Sequence, residues 1–374
     1  MSTDFGIYIH TPWCRTRCPY CAFNVYLSDS ADYIRWKDGV IGAWNSLAHR
    51  FPGKAHSLYF GGGTPSLAPA EIIGQLIEEL PLKPNAEITL EANPGTIDMD
   101  GLSEMRHAGI NRLSIGVQTF NQNHARMLGR GHNVHQARNL LESANSLEFT
   151  SWSMDLMFSL PNQSVEELQN DLDELLRFDP PHVSLYGLSI EPGTPFKTIH
   201  DAGNLVLPNP EQWRQMYDDI VRGLEDVGME RYEVSNFAQP GHRAVHNEQV
   251  WRGGFYAGLG PGAHGFPPDG IRTLGKRDIN DWYADPIPVK ITTDQRDAAI
   301  DYLLSSLRHI DGTSQRILRE RTGHELSKSD LDALVMKSML TEGNEHVRLT
   351  HSAFPLADGI LRKLIEGLQL SQST

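Results

Sequence analysis

The chain has three cysteines, and all three fall in one short stretch: Cys14, Cys18 and Cys21, spaced C-x3-C-x2-C. They directly follow a short apolar run at residues 6–9 that reads as a strand. Soft thiolate ligands on a tight loop suit an iron–sulfur cluster, and three ligands for four irons would leave one iron of a 4Fe-4S cluster open to a substrate or cofactor. A structural disulfide framework wants an even count. A zinc site would want a fourth ligand, for which His10 is the nearby candidate.

Other residues able to do chemistry sit where predicted strands end. Gly61-Gly62-Gly63-Thr64-Pro65 follows a strand, and its side-chain-free backbone would let a ligand approach closely. Glu91 and Gln118 close the next two strands, and Arg130 lies between two glycines with a guanidinium suited to gripping a carboxylate. Asp155 interrupts an otherwise apolar strand, Met154 to Phe158. A charge there must face a polar site or bear a large desolvation penalty.

These residues need a scaffold that brings strand ends together. Strand and helix patterns alternate about six times over residues 5–228, which predicts an α/β fold with a parallel sheet and right-handed crossovers. Six units rather than eight suggest a (β/α)6 partial barrel, with a doubly wound sheet as the alternative. The first helix is expected to bury Ile34, Val40, Ile41, Trp44 and Leu47. The expected units are the partial barrel over 1–235, an irregular Gly-, Pro- and His-rich segment over 236–290, and a small mainly helical, winged-helix-like domain over 291–374.

A net charge of −14 argues against nucleic acid as a partner, including for the acidic C-terminal domain. No apolar run is long enough to span a bilayer, no leader pattern is visible at Met1-Ser2-Thr3-Asp4, and no cysteine remains for disulfides, so a cytoplasmic location is expected.

The cysteine spacing, with aromatic Tyr20 directly before Cys21, resembles the signature of the radical S-adenosylmethionine (SAM) superfamily. Together with Tyr8, Gly-Gly-Gly-Thr-Pro-Ser at 61–66, Glu91-Ala92-Asn93-Pro94, Gln118, Arg130, Asp155 and Tyr232-Glu233-Val234-Ser235-Asn236-Phe237-Ala238, it resembles the branch holding oxygen-independent coproporphyrinogen III oxidase and the haem chaperone HemW. The resemblance covers nearly the whole chain. It implies a radical SAM (β/α)6 partial TIM barrel, a 4Fe-4S cluster on Cys14, Cys18 and Cys21, and S-adenosyl-L-methionine held by Tyr8, Tyr20, Gly62, Gly63, Thr64, Glu91, Gln118, Arg130 and Asp155.

Two features separate the branches. The oxidase resemblance would require a fourth cysteine two residues after Cys21, where this chain has Phe23. The chaperone carries an H-N-x-x-Y-W motif associated with haem. This chain has His246-Asn247-Glu248-Gln249-Val250-Trp251, with Val250 in place of the tyrosine. The resemblance therefore implies haem as cargo on His246, Asn247 and Trp251, with His242, His264 and Tyr256 as nearby alternatives. It further implies delivery to haem-requiring respiratory proteins with peripheral association at the membrane, a homodimer as one open assembly, and no coproporphyrinogen oxidase activity. The runner-up is the oxidase itself.

Overall fold

A computed structural model describes residues 4–28, 30–343 and 345–371 of the chain; residues 1–3, part of the stretch read for a leader, lie outside the described residues. Six parallel strands follow in chain order: β1 (Phe5–Thr11), β2 (Ala55–Gly62), β3 (Leu82–Ala92), β4 (Arg112–Gln118), β5 (Ser151–Phe158) and β6 (His182–Gly187). Between them run α1 (Tyr33–Leu47), α2 (Ala70–Glu79), α3 (Met99–His107), α4 (Gln122–Met127), α5 (Val134–Ser146) and α6 (Val165–Arg177), and after β6 come α7 (Pro195–Asp201) and α8 (Pro210–Asp226). Several of these helices start at local signals. Capping boxes pair Asn133 with Gln136, Ser164 with Glu167 and Asn209 with Gln212.

Strands β1 to β6 lie in the sheet in the same order as in the chain. A doubly wound sheet needs a reversal of strand order, and there is none here. Crossovers of one hand and one direction put the helices on one face and leave the other as an interior. The strand period of two sorts the residues accordingly. Phe5, Ile7 and Ile9 of β1, Leu58 and Phe60 of β2, Leu113, Ile115 and Val117 of β4, and Trp152, Met154 and Leu156 of β5 form the core. The alternate set is polar: Tyr8 and His10, Ser57 and Tyr59, Glu87 and Glu91, Arg112 and Ser114, Ser153 and Asp155, His182 and Ser184. The scaffold is thus a curled β/α layer with a polar inner face.

The sheet does not stop at residue 235. Strands β7 (Glu230–Glu233) and β8 (Asn236–Ala238) continue it antiparallel beyond β6, and β9 (Phe255–Leu259) pairs parallel with β1, from Phe5 opposite Phe255 to Ile9 opposite Leu259. Segment 236–290, expected to be irregular, therefore supplies a strand on each side of the six, β8 next to β6 and β9 next to β1. It also contains α9 (Val245–Trp251) and α10 (Ile279–Ala284). Helix α9 has no side-chain cap at its own Ala244. Its first amides are met instead by distant groups. Glu87 of β3 accepts from the backbone N–H of Val245 and His246 at 3.1 and 2.9 Å, and the Tyr232 hydroxyl accepts from that of Ala244 at 3.2 Å. A carboxylate at the positive end of a helix is favourable. The helix sits under the interior at the N-terminal ends of the strands.

The C-terminal part packs α11 (Gln295–Ser306), α12 (Gln315–Thr322), α13 (Lys328–Met336) and α14 (Ala357–Glu366) around a three-stranded sheet in which His346–Leu349 pairs with both Thr313–Ser314 and Leu340–Glu342. That is the expected small, mainly helical, winged-helix-like unit. Among the described residues, no helix is long and apolar enough to cross a membrane.

Candidate functional site

A cavity of about 550 Å³ opens at the C-terminal ends of the parallel strands, the end at which open α/β sheets and barrels carry their sites. Cys14, Cys18 and Cys21 all line it. Their loop is tied at its neck, where Trp13 and Cys14 pair with Tyr26 and Leu27 and the Tyr26 N–H donates to the Pro12 carbonyl at 2.7 Å. The Asn24 amide donates to the carbonyls of Pro261 and Arg277 at 3.2 and 2.9 Å and so fastens the far side of the loop.

A chain of hydrogen bonds joins two of the sulfurs through the cavity wall. Thr64 Oγ1 donates to Cys14 Sγ at 3.4 Å and accepts from Asn93 Nδ2 at 3.2 Å. Asn93 Oδ1 accepts from Arg130, whose other nitrogen donates to Cys18 Sγ at 3.7 Å and to the Tyr20 hydroxyl at 3.4 Å. Burial pushes the Cys14 thiol up and the Thr64 hydrogen bond opposes it; burial also raises Cys21. A guanidinium and a hydroxyl aimed at sulfur favour the thiolate form that a metal takes.

The opposite wall carries two carboxylates. Glu91 accepts from the Tyr59 hydroxyl at 2.9 Å and from the Gly62 N–H at 3.0 Å. Gly62 has φ +112, and a Cβ there would meet the His10 ring at 2.4 Å, so both backbone and space demand glycine. At Gly63 a Cβ would meet the Trp13 carbonyl oxygen at 2.6 Å. Asp155 accepts from the hydroxyls of Ser114 and Ser153, the latter at 2.7 Å, and among the described residues no salt bridge is formed to it. Gln118 turns out of β4 with φ +72, a strained conformation of the kind that gathers at functional sites.

Burial raises Asp155, and it pushes Glu91 up to about 7, helped by the neighbouring Asp155 charge and opposed by the bonds from Tyr59 and Gly62. Between about 4.5 and about 7 the folded chain therefore holds a proton on Glu91 that the unfolded chain releases. The native state binds more protons, so this group makes stability fall as pH rises across that window. In the ligand-free chain, Glu91→Gln should remove that slope, leaving the variant relatively more stable at pH 8 than at pH 5. Denaturant midpoints of the two chains at the two pH values check this, and a gap that does not change with pH would refute the assignment.

The comparisons with known proteins agree with this geometry. A family model described as the radical SAM superfamily matches residues 8–175. The heme chaperone HemW of Escherichia coli is 33 % identical over 92 % of this chain and 94 % of that protein, and the HemW of Bacillus subtilis is 32 % identical over the same shares. The chain belongs to the HemW family of radical SAM proteins. The mitochondrial radical S-adenosyl methionine domain-containing protein 1 of Danio rerio is 40 % identical over 72 % of this chain and 62 % of that protein. The solved coproporphyrinogen III oxidase (HemN) from Escherichia coli, a radical SAM enzyme, superposes with a TM-score of 0.79 over 96 % of this chain and 90 % of that one. At 21 % identity, that likeness is one of fold.

Membership implies a 4Fe-4S cluster and SAM, and the residues present fit both. His10 is not free to complete a zinc site, because its Nδ1 meets the Tyr8 hydroxyl at 3.0 Å and its Nε2 meets the Asn24 carbonyl at 2.8 Å. Among the described residues, no three His, Cys, Asp or Glu side chains form a set for a single metal ion. Two polar atoms buried at the cavity wall, Arg130 Nε and His132 Nε2, have no hydrogen-bond partner among the described residues. Orphaned polar groups of this kind fit a polar ligand above the thiols.

Of the residues expected at the site, Cys14, Cys18, Cys21, Tyr20, Gly62, Gly63, Thr64, Glu91, Gln118, Arg130 and Asp155 line this one cavity. Tyr8 does not. It lies beneath, its hydroxyl on His10 and its ring 6.2 Å from Tyr59. The reading from sequence quotes Asn93 only as part of a motif and misses His132, Ser114, Tyr59 and Tyr186; all five also line the wall. Burial, with Arg130 beside it, pushes His132 down to about 4 and holds it neutral.

His246, Asn247 and Trp251 do not reach the cavity. The expected loop is helix α9, and His246 is 5 % exposed, with Nδ1 at 2.9 Å from Ser57 Oγ and its ring 5.2 Å from Tyr59. Burial pushes it down to about 3. Its ring presses on Gly6, where a Cβ would approach Nδ1 to 2.8 Å. Trp251 packs 5.9 Å from Tyr232. In this packing His246 is a sealed part of the interior rather than an accessible iron ligand. His242 Nδ1 is likewise engaged, at 3.1 Å from Ser151 Oγ.

Proposed function

We propose that the chain is a haem chaperone that holds a 4Fe-4S cluster and SAM in the cavity above its parallel strands, binds haem, and passes it to haem-requiring respiratory proteins at the membrane. The observation that carries this reading is the conjunction of the thiol-lined cavity with Phe23 at its rim. Phe23 is 64 % exposed and stands where the oxidase branch would have a fourth cysteine, and a phenyl ring offers neither a ligand nor a proton. Similarity to proteins named heme chaperones over nine-tenths of both chains supports the same choice.

When bound, the cluster would supply an electron to the sulfonium of SAM. The protein's part is orientation. Cys14, Cys18 and Cys21 would hold the cluster. Arg130 and the Gly62–Gly63 backbone would receive the carboxylate and amino groups of the methionine moiety. Glu91, Gln118 and Asp155 would position the remaining polar groups. Respiratory recipients and a cytoplasmic setting with peripheral membrane contact belong to the same proposal, as does a homodimer.

Two assays run in parallel on the anaerobically reconstituted chain test the reading. Haem handover to an apo-protein is expected, and conversion of coproporphyrinogen III with SAM and reductant is not. Turnover without specific haem binding would make the oxidase the better reading.

A further inference from the structure

Behind Asp155, a row of hydrogen bonds runs down the interior toward the N-terminal ends of the strands. Ser153 donates to Asp155 at 2.7 Å, and His182 Nδ1 lies 2.8 Å from Ser153 Oγ. His182 Nε2 lies 2.7 Å from the Tyr232 hydroxyl, which accepts from the Ala244 N–H at 3.2 Å. Ser153, His182 and Tyr232 are all buried, and none of them lines the cavity.

The donors and acceptors in this row fix where its protons sit. The Ala244 N–H can only donate, so the Tyr232 oxygen takes that bond and sends its own proton to His182 Nε2. Burial, with Arg112 and His242 nearby, holds the His182 ring neutral, so the ring has one proton to place. That proton belongs on Nδ1, which donates to Ser153 Oγ. Ser153 then has one proton left, for Asp155 at 2.7 Å or Ser184 Oγ at 3.3 Å. The carboxylate is nearer and charged, and charge-assisted bonds are the stronger. Ser184 donates elsewhere, to Asn236 Oδ1 at 3.0 Å, while Asn236 Nδ2 donates to Glu233 at 2.7 Å. The opposite tautomer of His182 would leave the buried Tyr232 proton unpaired and turn the Ser153 proton toward the ring, away from Asp155.

We propose that His182 is a positioning residue for the cavity: its Nδ1–H, set by Tyr232, turns the Ser153 hydroxyl outward so that Asp155 meets SAM as a carboxylate rather than as an acid. The proposal rests on the placing of SAM against Asp155 in the reading above. A serine hydroxyl by itself turns freely between donor and acceptor, and the ring N–H behind this one removes that freedom. Ser114 of β4 supplies the other donor. The charged and titratable groups facing Asp155 are few. Arg112 of β4 favours its charge and Glu91 of β3 opposes it, while burial keeps Tyr59 of β2 and Tyr186 of β6 neutral. With burial raising Asp155 and hydroxyls opposing that rise, the loss of one aimed hydroxyl shifts the balance toward the acid.

The test follows ionisation of Asp155 in the ligand-free full chain by ¹³C NMR of carboxyl-labelled aspartate, with Asp155→Asn as the assignment control. Isothermal titration of SAM on the cluster-loaded chain across pH and a thermal midpoint for each variant run beside it. His182→Phe keeps a ring and loses both nitrogens, and His182→Leu serves if that variant fails to fold. Either is expected to move the ionisation of Asp155 up by about one pH unit. The variant then holds its proton to higher pH, so SAM should bind about tenfold more weakly at the acid end, with the loss fading as pH rises. Ser153→Ala should do the same, and the His182 change placed on top of it should add nothing, because the row is already cut. Folded variants in which Asp155 ionises as in the wild type, or effects that add in the double variant, would overturn the proposal, and a His182 of structural role alone would give that result with a lowered thermal midpoint. Asp155 ionisation that moves while SAM affinity stays unchanged at every pH would instead overturn the placing of SAM against Asp155.

Discussion

Replacing Cys14, Cys18 or Cys21 by alanine, one at a time, is expected to take the reconstituted chain from about four irons and four sulfides to almost none, with loss of the visible absorbance. The effect should be nearly all-or-none, because the sequence holds no other cysteine to substitute and His10 has both ring nitrogens engaged. The fold should survive each change. The neck of the loop is held by backbone pairing of Trp13 and Cys14 with Tyr26 and Leu27, and its far side by Asn24, none of which needs sulfur. Iron and acid-labile sulfide analysis beside circular dichroism checks this. A tightly bound zinc with no labile sulfide would sink the cluster reading.

Asp155→Asn is expected to move two quantities in opposite directions. The carboxylate sits on the cavity wall with only serine hydroxyls for partners, and burial raises its pKa, so its charge is a burden to the empty protein. An amide of the same size can still bond Ser114 and Ser153, whose hydroxyls turn freely between donor and acceptor. Thermal stability of the ligand-free variant should therefore hold or rise. SAM affinity should fall by roughly ten- to a hundredfold, the loss of one charge-assisted hydrogen bond worth ~1.5–3 kcal/mol. Isothermal titration on cluster-loaded chains, beside thermal melts, separates the outcomes. Normal SAM binding with a lowered melting temperature would mark Asp155 as a structural residue.

Much of the site is legible in the sequence because the fold puts strand ends side by side, and a residue's place at a strand end can be read one strand at a time. Glu91 and Gln118 needed nothing more, and Asp155 was marked by its charge within an otherwise apolar strand. Ser114, Tyr59 and Tyr186 carried a signal too, since they fall in the same alternating phase as Gly116, Gly61 and Ser184 on the inner face. Asn93 was visible only as part of the Glu91-Ala92-Asn93-Pro94 run, because its role comes from its contact with Arg130, distant in sequence, and His132 carried no signal beyond its place near Arg130.

The first helix shows the limit of periodicity. The spacing places Ile34 inward, yet the structure leaves it 65 % exposed and buries Trp36, whose indole donates to the His10 carbonyl at 3.2 Å. Helix α9 was hidden for a related reason. Its starting amides are satisfied by Glu87 and Tyr232, far away in sequence, so no local capping signal marks the turn before His246 as a helix start. Strand β9 is likewise stabilised by β1 rather than by any pattern in its Gly-rich surroundings.

The central claim is that this chain carries haem for other proteins, and haem handover measures it most directly. The reconstituted chain, loaded with one equivalent of hemin and freed of excess, is mixed with membranes containing a haem-depleted respiratory haem protein, and the Soret bands of donor and acceptor are followed together with recovery of the acceptor's activity. The account predicts loss of haem from the donor matched by gain on the acceptor, faster than from free hemin at the same concentration. Haem that stays on the donor, or reaches the acceptor no faster than free hemin does, would contradict it.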